Sequence, residues 1–440
     1  MKKHFVILTA LLWAVTFVNA QQVDFEEYDL DNGLHVILHQ DKTAPIVVTS
    51  ISYHVGAKDE NPERTGFAHF FEHLLFEGTK NIKRGEWDKI VKSNGGKNNA
   101  TTNDDRTYYY EVFPSNSLAT GLWLESERLL HPEITQVGVD TQNEVVKEEK
   151  RLRIDNRPYG RIFEELKKGI FKKHPYRWSP IGSMEHLDAA TLEEFLAFNK
   201  KFYIPNNAVL VVAGDFEKKE AKKLIEDYFG PIPRGEEIVR NFPKEDPITE
   251  EFTVKAYDPN IQIPAIIVAY RTPSFKDRDA RVLDMISSYL SGGNSSKLYK
   301  KLVDKEKKAL AVQAFNFSEE DYGLSAIFSI PLGETTLDQL VAGIDEEIEK
   351  LQNELISEKD FEKLQNQFEN QFVNANSSLE GIAGSLANYY LLYGDTDLIN
   401  SEIDIYRSVT REEIKEVANK YLKKNQRMLL EYLPKEQENQ

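Results

Sequence analysis

The sequence predicts an α+β fold with two halves of similar build. Its 440 residues exceed the usual size of one domain. A charged stretch at 231–250 contains four prolines, which is typical of a linker. Segments typical of strands and helices follow one another in a similar order on both sides of this stretch. We therefore expect one domain at 21–230 and a second at 251–440.

The composition is that of a folded, acidic protein. Its 55 basic residues are outnumbered by 72 acidic residues, which gives a formal net charge of −17. This sign argues against a nucleic acid partner. The chain contains no cysteine. Any metal site must therefore use histidine and carboxylate ligands, and the cores must hold without disulfides.

Residues 1–20 have the features of a secretory signal peptide. Basic residues at 2–4 precede an apolar run at 5–18, and a small-residue cleavage site follows at 18–20. The apolar run is too short to span a bilayer comfortably. We expect an exported protein of the bacterial periplasm, with no integral membrane segment after signal cleavage. An uncleaved anchor is the alternative.

The first half begins with a β-hairpin signal. Asn32-Gly33 separates strand-like segments at 25–30 and 34–39, and this dipeptide favours a tight two-residue turn. A β-branched strand at 45–53 and a polar loop at 56–60 lead into a helix. The other predicted elements are a loop at 94–99, two strands within 100–113, helices at 115–131, 140–155 and 216–229, a helix-rich stretch at 158–203, and a buried strand at 208–214.

The second half restarts the alternation of strands and helices. Its predicted strands lie at 252–257, 265–270, near 311–317 and 323–331, and at 427–432, and its predicted helices at 277–290, 335–353 and 358–375. Few residues are identical between the halves, so the similarity is one of pattern.

The helix after Gly66 carries the strongest chemical signal. His69 and His73 are four positions apart, so a helix directs both side chains from one face. With Glu72 they form H-x-x-E-H, the inverse of the H-E-x-x-H zinc motif. The helix is apolar nearly all round and should be buried. Buried histidines beside a glutamate are costly unless a cation such as Zn²⁺ joins them, although such a triplet also occurs by chance in unrelated helices.

A third zinc ligand is predicted in the helix at 140–155. Helical spacing places five residues on one face: Gln142, Val145, Val146, Glu149 and Leu152. Glu149 then lies on an apolar face, whereas Glu148 points to solvent. Two histidines and one glutamate form a known catalytic zinc site, so Glu149 is the candidate ligand. The alternative is a salt bridge at the edge of the core.

Several motifs in a fixed order give the chain a resemblance to the pitrilysin-type (insulinase family) zinc metallopeptidases. The matching residues are Gly56, Glu60, Gly66, Ala68, His69, Glu72, His73, Phe76, Gly78, Thr79, Asn99, Ala100, Thr102, Asp105, Thr107, Tyr109, Val145, Val146, Glu148, Glu149, Pro175, Tyr176, Pro180, Ile181, Gly182, Tyr203, Pro205, Asn206 and Asn207. The match extends over nearly the whole chain after residue 20.

This resemblance implies the roles of the site residues. Zn²⁺ would be held by His69, His73 and Glu149, with Glu72 as the catalytic base. Each half would be a mostly antiparallel sheet covered on one side by helices, and the two would form half of a clamshell chamber. The second half would be a degenerate copy without zinc.

The resemblance also implies a substrate-binding strand at 99–109. An extended peptide would pair with this strand through backbone hydrogen bonds, a mode that depends little on sequence. Asn99, Ala100 and Thr102 would contact the substrate, with Asn99 and Ala100 nearest the scissile bond. An ordinary loop asparagine is the alternative for Asn99.

The chain departs from the family pattern at three positions. Gln142 stands where many active members carry an auxiliary acid, and glutamine cannot take a proton. Val303 and Val312 stand where several relatives have an Arg and a Tyr that hold the substrate, and valine cannot stabilise an oxyanion. We therefore expect a homologous partner subunit that supplies this pair. A homodimer is the alternative, but it lacks the pair.

The sequence as a whole predicts a zinc metalloendopeptidase. It would hydrolyse peptides or unfolded segments inside an enclosed chamber, as the catalytic subunit of a heterodimer. The alternative is a non-catalytic subunit that binds zinc or peptides within an assembly. The intact set of His69, Glu72, His73 and Glu149 favours the enzyme.

Overall fold

The computed structural model of the protein describes residues 22–435, so the predicted signal peptide at 1–20 lies outside the described residues. The first half contains six strands, Glu26–Asp29 (β1), His35–Gln40 (β2), Ile46–Tyr53 (β3), Lys97–Thr102 (β4), Thr107–Pro114 (β5) and Ala208–Gly214 (β6). Its helices are Phe67–Leu74 (α1), Trp87–Ser93 (α2), Leu118–Leu130 (α3), Gln136–Lys150 (α4), Ile162–Ile170 (α5), Met184–Ala189 (α6), Leu192–Phe202 (α7) and Lys218–Phe229 (α8).

The second half contains five strands, Phe252–Asp258 (β7), Ala265–Thr272 (β8), Ala309–Ser318 (β9), Gly323–Pro331 (β10) and Arg427–Pro434 (β11). Its helices are Arg278–Ser291 (α9), Leu337–Asn353 (α10), Glu358–Ala375 (α11), Leu379–Asn388 (α12), Leu398–Arg407 (α13) and Arg411–Tyr421 (α14). Short π-helical segments occur at Arg151–Asp155, Tyr299–Lys305 and Tyr389–Tyr393. Within residues 22–435, no helix is both long and apolar enough to cross a bilayer.

The two sheets follow one topological plan. The strand order is β1-β2-β6-β3-β5-β4 in the first sheet and β7-β11-β8-β10-β9 in the second. The last strand of each half makes a parallel pair: β6 pairs with β2 in the first sheet, and β11 pairs with β7 in the second. The remaining pairs are antiparallel. Apart from the additional strand β1 the two orders match, which confirms two α+β halves of similar build.

The predicted hairpin at Asn32-Gly33 is present, but its strands end at Asp29 and resume at His35, so the connection is longer than a two-residue turn. Strands β1 and β2 pair antiparallel on either side of the turn. Gly33 has φ +86°, a left-handed conformation that glycine adopts without strain. The Asn32 side chain donates hydrogen bonds to the carbonyl oxygens of Phe229 and Ile232, at 2.8 and 2.9 Å. These bonds fix the turn against the end of α8.

Each half contributes a helix to the sheet of the other half. Helix α12 covers one face of the first sheet, where Ile382, Ala383, Leu386 and Ala387 pack with Ile37, Val48, Val209, Val211 and Ala213. Helix α5 covers one face of the second sheet, where Ile162, Leu166 and Ile170 pack with Ile267, Ala269, Leu324, Met428 and Leu430. Helices α1, α3, α7 and α8 pack on the opposite face of the first sheet. The expectation of helices on one side only is therefore incomplete.

The segment predicted as a linker is held against the protein. Residues 233–249 contain no helix or strand, but their side chains make fixed contacts. Arg240 Nε donates to Asp59 Oδ1 at 2.8 Å. One oxygen of Glu245 accepts the backbone N–H groups of residues 172–174 at 2.6–2.8 Å. The exact bounds of the two domains and the linker stay a prediction, because α5 and α12 pack across them.

A buried cluster of charges joins the two halves. Lys58, only 2% exposed, places its Nζ 2.9 Å from Asp105, 2.7 Å from Glu320 and 3.1 Å from Asp321. Burial alone would lower the pKa of Lys58, but these carboxylates raise it above its ordinary value, so the ammonium stays charged. Two of the three partners, Glu320 and Asp321, lie more than 200 residues away along the chain. The predicted polar loop at 56–60 contains a short helical turn at Ala57–Asp59.

Candidate metal centre and active site

The start of α1 is fixed by a buried carboxylate. Glu60 accepts hydrogen bonds from the backbone N–H groups of Gly66 and Ala68, both at 2.8 Å. These N–H groups belong to the first turn and have no partner inside the helix. Gly66 has φ +101°, and a Cβ there would lie 2.8 Å from the carbonyl oxygen of Ile181. The sequence motif around Glu60 and Gly66 therefore sets where the histidine helix begins.

The end of α1 is fixed from the neighbouring strand and from α3. The Tyr109 hydroxyl donates to the carbonyl oxygen of Phe71 at 2.9 Å. Arg128 donates to the carbonyl oxygen of Leu75 at 3.0 Å. Arg128 also forms ion pairs with Glu111 at 3.0 Å and Glu125 at 2.9 Å, and all three side chains are fully buried. A cation at this end of a helix is favourable for the helix dipole.

The structure brings His69, His73 and Glu149 together. Glu149 Oε2 lies 3.6 Å from His69 Nε2 and 3.2 Å from His73 Nε2. Within residues 22–435, this is the one group of three metal-type side chains whose ligand atoms all lie within 4.8 Å of one another. Helix α1 supplies the histidines and α4 supplies the carboxylate.

These distances fit a tetrahedral zinc ion. Zinc bonds of about 2.0–2.2 Å at tetrahedral angles set ligand atoms roughly 3.3–3.6 Å apart. The two distances from Glu149 to the histidines, 3.2 and 3.6 Å, agree with this separation. Two imidazoles and one carboxylate also form the donor set of a catalytic zinc site that retains an open position.

The electrostatics favour the forms that bind a metal. Burial and the neighbouring His73 lower the pKa of His69 to about 4, so its imidazole is neutral near pH 7. The hydrogen bond with His73 lowers the pKa of Glu149, so its carboxylate is ionised. Zinc requires neutral histidine and ionised carboxylate. Arg153 contacts the second oxygen of Glu149, at 2.5 Å from Oε1.

Glu72 lies beside this group with a different electrostatic environment. It shares α1 with the two histidines and is partly buried. Burial raises the pKa of Glu72, while Thr102 and His73 act in the opposite direction. A carboxylate with a raised pKa accepts and returns a proton more readily near neutral pH. The two carboxyl groups thus differ in their electrostatics, because the pKa of Glu149 is lowered and the pKa of Glu72 is raised.

The predicted substrate strand is the edge strand β4. It pairs with β5 on one side, and no further strand follows it in the sheet order of the described residues. Asn99 is exposed, Ala100 is buried and Thr102 is partly buried. Strand β4 packs beside α1. An edge strand presents unpaired N–H and C=O groups, which can hydrogen-bond an added strand. The predicted loop at 94–99 is wrong in part, because the strand already begins at Lys97.

Gln142 contacts a residue that the sequence did not single out. Its side-chain amide donates to Glu77 Oε1 at 2.5 Å. Glu77 also forms an ion pair with Arg84. Glu77 lies between Phe76 and Gly78 of the matching motif, which is the signal that could have identified it. Gln142 therefore braces α4 against the segment that follows α1.

The predicted apolar face of α4 is only partly correct. Val146 is buried and Glu148 is exposed, in agreement with the spacing. Val145 and Leu152, however, are 44% and 61% exposed. Leu152 lies in the π-helical segment that follows α4, where the wider turn shifts the helical phase. Lys150, which is not on the predicted face, is also buried and forms an ion pair with Glu164 at 2.5 Å.

The two valines that replace the expected Arg and Tyr lie in the second half. Val303 follows α9 in the π-helical segment and Val312 lies in β9. Both are partly buried against the core of the second half. Neither side chain carries a hydrogen-bond donor.

Comparison with known proteins identifies the family of this chain. The family described as "Insulinase (Peptidase family M16)" matches residues 35–181, and "Peptidase M16 inactive domain" matches residues 189–368. The zinc protease PqqE of Helicobacter pylori is 30% identical over 428 residues, which cover 96% of this chain and 95% of that protein. A probable mitochondrial-processing peptidase subunit beta of Schizosaccharomyces pombe is 25% identical over 326 residues, 72% of this chain and 71% of that protein.

Solved structures show the same fold. A protease from Helicobacter pylori superposes with a TM-score of 0.87 at 28% identity and covers 93% of this chain and 99% of its own. The periplasmic protease PqqL from Escherichia coli gives a TM-score of 0.76 at 19% identity, and 47% of that chain is covered. These likenesses confirm the predicted fold class, two α+β domains that form half of a clamshell chamber. The chain belongs to the insulinase family, peptidase family M16.

Proposed function

We propose that this protein is a zinc metalloendopeptidase that hydrolyses peptides or unfolded segments in an enclosed chamber. The observation that carries the proposal is the approach of His69, His73 and Glu149 within 4.8 Å, with Glu72 on the same helix as the histidines. Membership of family M16 supports a peptidase role. The relative PqqE is named a zinc protease, which supports zinc as the metal.

In the proposed reaction, His69, His73 and Glu149 hold zinc and Glu72 transfers protons. Bound zinc would polarise the scissile carbonyl and make a water molecule more acidic. Glu72 takes the proton of the attacking water and passes it to the leaving amine. The raised pKa of Glu72 suits both transfers. Glu72 is partly buried, which limits the access of bulk water to its carboxylate.

Strand β4 is proposed to orient the substrate. A peptide that adds to its free edge is held extended through backbone hydrogen bonds. Asn99 and Ala100 then lie nearest the scissile bond, and Thr102 lies near the proton acceptor Glu72. This mode excludes folded proteins, because their backbone groups are already paired.

We further propose that the chain is the catalytic subunit of a heterodimer. Its domain at 21–230 would bear the zinc, and the degenerate copy at 251–440 would complete this half of the chamber. PqqL is about twice as long, since 93% of this chain corresponds to 47% of that one. Because Val303 and Val312 stand where the Arg and Tyr are expected, a homologous partner would supply that pair. A homodimer without the pair is the alternative.

An exported location in a bacterial periplasm is part of the proposal. The signal-like composition of residues 1–20 supports export. The structural relative PqqL is described as periplasmic, which agrees with this location. The lack of cysteine is compatible with an oxidising compartment.

A second candidate function is a non-catalytic subunit that binds zinc or peptides. Gln142 in place of an acid favours this candidate. The match of residues 189–368 to an inactive domain agrees with both candidates, because each expects a second half without zinc. The two functions differ in turnover. A subunit of this kind would bind one zinc ion per chain yet cleave no peptide, even in the presence of its partner.

The proposal is tested by incubating the purified, zinc-loaded protein with a mixed peptide pool, with and without a chelator. Products are identified by mass spectrometry. We expect new termini that depend on the chelatable metal and return when zinc is restored. Cleavage that persists after complete metal removal would contradict the assignment. A homologous chain that carries the Arg and Tyr pair is added in a parallel reaction, and we expect it to increase the rate.

A further inference from the structure

A pocket of about 180 Å³ lies between α5 and the hairpin of β9 and β10. Its apolar lining consists of Phe163, Phe171, Tyr176, Phe317, Tyr322 and Leu324. An apolar cavity of about 150 Å³ is large enough to bind benzene. The pocket therefore has room for one large apolar side chain.

Aromatic rings at the mouth of this pocket are exposed to solvent. Phe163 is 47% exposed and Phe317 is 45% exposed. Their ring centroids lie 5.4 Å apart, and Phe315 lies 5.4 Å from Phe163 and 5.2 Å from Phe317. Contiguous exposed apolar surface of this kind marks interaction sites on soluble proteins. Covering these rings with another apolar group would be favourable, since it removes their surface from water.

The charged groups of the pocket leave it without a free charge. Lys167 Nζ lies 2.7 and 2.6 Å from the two carboxylate oxygens of Asp104, so these charges compensate each other. Burial, with the nearby Asp105 and Asp104, raises the pKa of Glu319 well above its usual range, which keeps this group protonated. A pocket of this kind suits a neutral side chain better than a lysine or an arginine.

The pocket adjoins the end of the substrate strand. Asp104, in its wall, follows the last residue of β4, Thr102, by two positions. Arg106 of the same turn bonds back to Thr101 Oγ1 at 2.9 Å, which fixes the turn to the strand. At about 3.3 Å per residue, a peptide on β4 whose scissile bond lies nearest Asn99 and Ala100 reaches the level of Asp104 roughly four to five residues from that bond.

We propose that this pocket selects a large apolar, preferably aromatic, side chain of the peptide at one fixed distance from the scissile bond. Phe163 and Phe317 are the specificity-determining residues. The inference rests on the proposed function, because it assumes that a peptide occupies the edge of β4. It adds a sequence preference to a binding mode that otherwise depends on backbone contacts.

The test measures peptide binding to the inactive Glu72→Gln protein by fluorescence anisotropy. Labelled extended peptides carry a single Phe at successive positions of a host sequence with Ser elsewhere. We expect one position at which Phe lowers Kd on the order of 10-fold relative to Ser. Phe163→Ala and Phe317→Ala should each remove most of this difference, and Phe163→Leu should retain much of it. The matched control is Leu196→Ala, which shortens a similarly exposed residue on α7. This substitution should leave the difference in Kd between the Phe and Ser peptides unchanged.

The outcomes separate this inference from the proposed function. Peptides that bind with no preference for Phe, or with a preference that survives both alanine substitutions, would overturn the pocket alone. A preference for Lys or Arg at that position would also overturn it. Failure of the zinc-loaded wild-type protein to cleave any peptide would instead contradict the proposed function. A Phe-dependent Kd in the inactive protein would still support the pocket in that case.

Discussion

Replacement of Arg128 by methionine tests how the end of the histidine helix is held. Arg128 is fully buried and forms ion pairs with Glu111 at 3.0 Å and Glu125 at 2.9 Å. It also donates to the carbonyl oxygen of Leu75. Its guanidinium lies 4.2–4.5 Å from the rings of Phe76, Trp87 and Tyr109. Methionine fills much of the same space but leaves the two carboxylates without a cation.

The expected loss follows from the buried carboxylates. Removal of one partner of a buried ion pair costs about 3–5 kcal/mol, because the remaining charge stays desolvated. At roughly 2–4 °C per kcal/mol, as for a domain of about 200 residues, Tm should fall by roughly 6–20 °C. Burial and the neighbouring Glu125 already raise the pKa of Glu111 well above its usual range. The loss should be smaller at acid pH, where Glu111 is protonated, and should grow as the pH rises.

The assay is thermal and chemical unfolding of wild-type and Arg128→Met proteins at several pH values. A second variant that also carries Glu111→Gln and Glu125→Gln serves as the comparison. It should recover much of the lost stability, because it removes the uncompensated charges. A loss below about 1 kcal/mol for Arg128→Met, or a triple variant no more stable than the single one, would refute the reasoning.

Two further predictions concern the metal and a buried acid. Glu149→Gln should weaken zinc binding by more than about 100-fold in competition with a chelator, beyond the effect of a residue that only supports a ligand. Its exposed neighbour gives the matched control: Glu148→Gln should leave zinc affinity unchanged, and equal effects of both substitutions would contradict the ligand assignment. Burial raises the pKa of Asp284 from 3.8 to about 6, so the folded state holds this proton more tightly than the unfolded chain. The resulting stabilisation, up to about 3 kcal/mol, is present below pH 4 and is lost as the pH rises through 6. Asp284→Asn should flatten this part of the stability profile, and an unchanged profile would count against it.

Features with local causes could be predicted from the sequence. The turn at Asn32-Gly33 and the strand at 45–53 follow from the conformations that these residues prefer. The spacing of His69 and His73 alone places both on one helix face. Helical phase also distinguished Glu149 from Glu148, although the contact with the histidines depends on the packing of α1 against α4.

Features with long-range causes could not be predicted. An amphipathic helix shows that one face is buried, but not against which sheet, so the packing of α5 and α12 on the opposite halves had no local signal. The ion pairs of Lys58 with Glu320 and Asp321 also had no local signal, because these partners lie in the other half of the chain. Leu152 is exposed because the helix widens after Lys150, and helical periodicity assumes a constant turn.

The central claim is tested most directly by metal content and turnover measured on the same preparation of the Glu72→Gln protein. Glutamine keeps the size of the side chain but cannot accept the proton of the attacking water. We predict one zinc ion per chain, as in the wild-type protein, with peptide hydrolysis reduced by about 100-fold or more. Hydrolysis at the wild-type rate, or a wild-type protein that binds no zinc, would contradict the account.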